Sequence, residues 1–511
     1  MKLGSSFLAL FLAGMLEAQV PAYDALVAIE SEVADASTAE SVSELTTRLA
    51  AINISSWERS EKIDYLLVRA RLAGKDFELR VMRPRSRDPL RTIDRIRRAA
   101  YEDVPVSDVT AFRQRLSNVR KTVAEARVEL TEPSAELARL AIRHLEQHDG
   151  VGQGEPVRHP QPAGIIGWYR DLEGRVSSDQ PELAFDVNET LEAVMGLRDW
   201  LEEKLPAMTA PAWIDLEDYA WYLKNVRLLP YSVEDVRRIG ARELDRALTF
   251  LKIQEHRNRG LPELEIATSK DELDRRVVEA ERQIRAIINE QNLLTFPPDT
   301  KTSFETDVFF TRRPGGKRHF WEELSYRNAI NNHVHASIPG HRFDGFLQRR
   351  VDNPIRRAHR DGVRAEGWGF YIEEMLLQAG LLDELPRARE LFYVAQLARA
   401  VRIPAELAMQ AGEMSLDEAI QYMVDLVPFM EEDLARYDLQ IYLRRPAYGM
   451  NYTIGMAQIE ELLAEEAIRL GSDFDLGVFH DTFLSKGMIP IALIGWEMSG
   501  DDEAYAWLLP D

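Results

Sequence analysis

His335 and His341 stand six residues apart in the stretch Asn331-Asn332-His333-Val334-His335-Ala336-Ser337-Ile338-Pro339-Gly340-His341-Arg342-Phe343-Asp344. On a straight helix six residues turn through roughly 600°, which leaves the two imidazoles about 120° apart and unable to share one ion. A fold that uses both must break the helix between them. Pro339 offers the break, because it lacks the N–H that the His335 carbonyl four residues back would accept, and Gly340 tolerates whatever backbone angles follow. Glu366-Gly367-Trp368 comes 25 residues after His341 and begins a helical run. Two imidazoles and a later carboxylate are a common ligand set for a hydrolytic zinc site, whose fourth position is left to water. The same residues also read as a helix end with scattered surface histidines, since the familiar His-Glu-x-x-His spacing is absent.

Around this stretch the chain is helical in pattern. Tyr23-Leu26-Val27-Ile29 and Ile63-Leu66-Leu67-Ala70 keep three-and-four spacing, as does the run Val109, Phe112, Leu116 and Val119, with Ser107 or Asp108 placed to cap it. Glu132-Pro133-Ser134 ends that run and starts another from Ala135 to His148. Asp149 to Gly167 holds five glycines and three prolines, which makes it a loop and the best candidate for a boundary or a flap. Helices are predicted over Pro181–Leu205, Asp215–Val226, from the Ser232-Val233-Glu234-Asp235 start to about His256, and over Lys270–Glu290. Phe304 to Phe310 is the one short strand the pattern suggests. The expectation is an all-α body with a deep central cleft and at most a small β-hairpin, a helical region over 19–150 running into a site-bearing region over 151–511.

With 511 residues and 45% hydrophobic content the chain can bury a large core. A net charge of −22 argues against nucleic acid and against an anionic membrane surface as partners. Lys2, the apolar run Leu3 to Leu16 and the small residue Ala18 read as an export signal over residues 1–18, so the expected location is periplasmic or secreted. The absence of cysteine excludes disulfides, thiolate metal sites and a lipid-modified N-terminal cysteine within these residues. No later run is apolar for long enough to span a bilayer.

The His stretch resembles the His-Glu-x-x-Pro-Gly-His signature of the bacterial domain-of-unknown-function 885 family. Glu366-Gly367-Trp368-Gly369-Phe370-Tyr371 resembles its Glu-Gly-Trp-Ala-Leu-Tyr segment. Pro446-Ala447-Tyr448-Gly449-Met450-Asn451-Tyr452-Thr453-Ile454-Gly455 is similar to its Pro-Gly-Gln-Ala-x-x-Tyr-x-Ile-Gly stretch. Phe479-His480-Asp481 and Gly487-Met488-Ile489-Pro490 match its ending. The likeness runs from about Asp215 to Trp496 and implies a zinc-metallopeptidase-like protein with His335, His341 and Glu366 as ligands and Tyr452 as a donor to an oxyanion.

One departure weighs against that implication. Where the family carries Glu after its first histidine, this chain has Ala336. The resemblance gives that Glu the proton of the attacking water, a role typically worth about 10²–10⁴-fold in rate. Asp344, three residues after His341, and Glu373 or Glu374, two turns beyond Glu366, are the candidates to replace it. His333 cannot share the face of His335, so it and Asn331-Asn332 suit a supporting shell. His480-Asp481 suggests an oriented histidine, and Arg444-Arg445 a clamp for a peptide carboxylate. Two functions follow as expectations: an exported zinc-dependent peptidase acting on peptides, or a non-catalytic relative that keeps the metal and binds peptides or a protein partner.

Overall fold

Helix starts are fixed by side chains that accept the first free N–H groups. Ser232 and Asp235 form the reciprocal pair expected of them, Oγ of Ser232 accepting from Asp235 N at 3.1 Å and Asp235 accepting from Ser232 N at 3.0 Å, and the helix Val233–Arg257 follows. Asp108 accepts from Ala111 N at 2.9 Å and opens Val109–Glu129, whose Phe112, Leu116, Val119 and Val123 are buried. Lys270–Glu290 begins at Ser269 and ends where the sequence predicts. The glycine- and proline-rich stretch gives way to helix at Gly164, four residues earlier than expected.

This computed structural model describes residues 22–148, 150–151, 155–156, 158–301 and 318–509. Among them the protein is all-α, and the only extended pairing is an isolated bridge between Ser134 and Ala210. The export segment over residues 1–18 and the strand suggested at Phe304–Phe310 lie outside the described residues.

One apolar cluster runs through the described chain from Leu26 to Leu508. Its N-terminal part is tied to the later helices by Arg356, which reaches Asp64 at 2.8 Å and Glu497 at 2.8 Å. At the centre the helices Gly362–Gln378 and Asn451–Leu470 lie against each other. Gly367 and Gly455 meet at their crossing, and a Cβ added to Gly367 would stand 2.4 Å from the Gly455 backbone. The short helix Ala329–Ala336 packs across the first of this pair, and Pro386–Ala400 packs beside the second. These four elements, with the short helix His341–Gln348, carry the candidate site.

Candidate metal centre

The helix Ala329–Ala336 stops before Pro339, as the missing N–H requires, with Ser337 N and Ile338 N both turned back to the His333 carbonyl. Gly340 is also needed for space, since a Cβ there would sit 1.8 Å from the His335 carbonyl oxygen. The chain thus doubles back on His335, and a second short helix, His341–Gln348, begins on the far side of the turn. Trp368 fastens this turn to the Glu366 helix by donating from Nε1 to the Pro339 carbonyl at 2.9 Å.

The break brings the two imidazoles together, their ring centres 4.6 Å apart and nearly perpendicular. Glu366 completes a group of three whose donor atoms all lie within 4.8 Å of one another. Its Oε2 is 3.1 Å from His341 Nε2 and 3.5 Å from His335 Nε2. Donors held tetrahedrally at zinc distances of 2.0–2.1 Å lie about 3.3 Å apart, so this donor set fits such an ion. Burial alone would resist charge on His341 and on Glu366. The contacts overcome it: burial opposes protonation of His341 but Glu366 raises its pKa, and burial opposes ionisation of Glu366 but the two histidines hold it well below the usual carboxylate range. His341 is the most open of the three, with 32% of its side chain exposed against 11% for His335 and 17% for Glu366.

Behind His335 stands Glu373, whose Oε1 is 2.6 Å from Nδ1, although the approach is bent rather than linear. Glu366 and Glu373 are two turns apart on one helix, and the imidazole spans them while lying over Gly369, where a Cβ would meet Cε1 at 2.7 Å. His333 points away to Glu281 at 3.3 Å, consistent with a supporting place outside the ligand set. Tyr452 stacks against His335 at 6.1 Å and 19°. Burial, then the nearby Glu366 charge, push its phenol up, so it is a neutral O–H donor at neutral pH.

The replacement bases fare differently from the ligands. Asp344 lies in a bidentate pair with Arg364 at 2.7 and 3.0 Å, both side chains buried, so neither oxygen is turned to the ligands. Glu373 is occupied by His335 and by Arg399, and Glu374 pairs with Arg246 at 2.9 Å and accepts from Gln378. Each of the three carboxylates is thus paired to an arginine, and that partner rather than its spacing from His341 or Glu366 sets where it points. His480 is oriented, though not by Asp481: its Nδ1 meets the Leu293 carbonyl at 2.6 Å and its Nε2 the Tyr371 hydroxyl at 2.8 Å, while Asp481 accepts from Thr295 N. Arg444 is spent on Asp88 and Asp94 and leaves no fork for a carboxylate.

Three residues escaped the sequence reading. Arg399 grips Glu373, Arg402 lies 4.6 Å over the Tyr452 ring and pairs with Asp438 at 2.7 Å, and Glu406 accepts from Met450 N at 3.1 Å, holding the turn before Tyr452. Burial raises the Glu406 pKa to about 7 against the pull of those N–H groups. A signal existed, since Arg399, Arg402 and Glu406 recur at helical spacing within an otherwise apolar run, and charges on a buried face are kept only when paired.

Residues 264–498 match the model of a family described as bacterial protein of unknown function (DUF885). No curated protein matches the chain in sequence. Among solved structures, it is similar to a candidate lipoprotein of unknown function from Shewanella oneidensis, with a TM-score of 0.68 at 17% identity over 93% of this chain and 92% of that one. It is likewise similar to a candidate lipoprotein from Colwellia psychrerythraea, with a TM-score of 0.65 at 16% identity over 95% and 96% of the two chains. At such identities the likeness speaks for a shared fold.

Proposed function

We propose that this is an exported, zinc-dependent, peptidase-like protein that hydrolyses peptides slowly because Ala336 stands where a general base is required. The observation that carries the reading is the meeting of His335, His341 and Glu366 donors, with Glu366 at 3.1 and 3.5 Å from the two histidines, across a Pro-Gly turn that brings them together. A bound zinc-like ion would supply Lewis acidity and a water of lowered pKa at its open position. The chain's own residues would do the rest. Glu366 and the two histidines hold the ion, Glu373 fixes the His335 ring, and Tyr452 donates its hydrogen bond to charge developing on a carbonyl oxygen. Substrate would approach from the His341 side, the most open edge. Export is supported by the candidate lipoproteins that share the fold, and no helix among the described residues is long and apolar enough to cross a membrane.

A second reading has its own observation. With Ala336 in place, each of the three candidate substitutes, Asp344, Glu373 and Glu374, is paired to an arginine. A protein that keeps the metal to hold peptides or a partner fits this as well. A peptide-library digest of wild type and Ala336→Glu, with and without chelator, separates the two. The enzyme reading expects slow, chelator-sensitive cleavage by wild type and a gain towards the 10²–10⁴-fold range from the added carboxylate. Absence of cleavage by both variants, with metal bound in each, leaves the binding reading alone.

A further inference from the structure

Glu373 is held from behind. The Arg399 guanidinium meets it as a fork of two nitrogens, Nη1 donating a hydrogen bond to Oε2 at 3.1 Å and Nη2 standing 2.9 Å from Oε1 as an ion pair, which holds the carboxylate in place. Arg399 itself has no freedom to move. Its guanidinium lies 5.0 Å from the Trp321 ring and 5.2 Å from the Phe370 ring, and both partners of the fork are buried, at 5% and 1% side-chain exposure. The same Oε1 then reaches His335 Nδ1 at 2.6 Å. The ring also lies over Gly369, which has no side chain to hold it, and stacks on Tyr452, so among these neighbours Glu373 is the charged group that meets Nδ1.

His335 therefore depends on Glu373 for its orientation. It sits in the last turn of an eight-residue helix, directly before the doubled-back chain, where backbone hydrogen bonds are fewest. With Nδ1 facing Glu373 at 2.6 Å, Nε2 is the nitrogen turned to Glu366. We propose that Arg399, acting through Glu373, is the positioning residue of the metal centre, setting the His335 ring so that Nε2 meets Glu366 and His341 at ligand spacing. The inference rests on the metal-centre reading and adds to it a residue 64 positions along the chain from His335. Arg399 touches neither the ion nor a substrate. Its effect is on the ligand's geometry.

Zinc affinity of the full chain, measured by competition with a chromogenic chelator, tests this without any need for turnover. Glu373→Gln and Arg399→Gln should each weaken zinc binding 10–100-fold, the usual loss when a partner behind a ligand is removed. Arg399→Lys, which keeps the charge and loses the fork, should fall between them and wild type. Each variant should also show a smaller zinc-induced rise in melting temperature. Asp64→Asn, which breaks the distant pair with Arg356, is the comparison: it should lower the melting temperature with and without zinc alike and leave affinity at the wild-type value. Should Arg399→Gln fail to fold, Glu373→Gln decides alone, since it keeps the side chain's shape. Wild-type affinity in a folded Glu373→Gln overturns the positioning role. Failure of the underlying reading looks different: wild type would bind no zinc, or His341→Ala would bind it equally well.

Discussion

Asp344 shows how one residue's partner decides what it can do. Three positions past His341 it has the spacing of a substitute base, yet its two oxygens are matched to Arg364, whose guanidinium also lies 4.5 Å over the Phe483 ring. Removing one member of a fully buried pair strands the other, at a cost of about 3–5 kcal/mol. Asp344→Asn should therefore lower the melting temperature by many degrees, and its effect on metal content should appear only as the fold loosens. A folded, stable Asp344→Asn that has lost hydrolysis while retaining its metal would return the residue to the role of base. The contrast with Glu366 is one of neighbours. Asp344 is buried and Glu366 half-buried, but the larger difference is that Glu366 faces two histidines with Nε2 atoms turned towards it, and Asp344 faces a cation that matches both its oxygens.

At the scale of elements the centre depends on how closely two helices approach. Gly367 and Gly455 let Gly362–Gln378 and Asn451–Leu470 touch backbone to backbone, which sets Glu366 and Tyr452 on facing turns around His335. An alanine at 367 would be the better helix former in isolation, by about 1 kcal/mol. Here it should destabilise, because its Cβ would meet Gly455 Cα at 2.4 Å and the neighbour is backbone that cannot rotate away. The expected loss for Gly367→Ala is about 1–3 kcal/mol, read as a lower denaturant midpoint with an unchanged slope. A midpoint equal to or above that of wild type would mean that the helices have room to part. The helices themselves were legible in the sequence because caps and apolar spacing are local: Ser232, Asp108 and the limits of Lys270–Glu290 needed no knowledge of the rest of the chain. The crossing was not, since a glycine's partner across an interface leaves no local mark. The same holds for Arg399 and Arg402, whose meaning comes from Glu373 and Tyr452 on other helices.

For the whole molecule, the sequence pattern names three residues that the fold brings together and misses the charges that surround them. His335, His341 and Glu366 were found from their chemistry and from the break that joins them. Asp344, Glu373, Glu374 and Arg444 drew roles from spacing alone, and spacing does not reveal which cation or carboxylate will claim a side chain once the body closes around it. The central claim is that this closed helical body holds one zinc-like ion on its two histidines and Glu366. Elemental analysis of gently purified protein, wild type beside His341→Ala, tests it most directly. Wild type should carry about one divalent ion per chain and His341→Ala should lose it while keeping its helical circular dichroism. Equal metal content in the two proteins, or none in wild type supplied with zinc, would contradict the account.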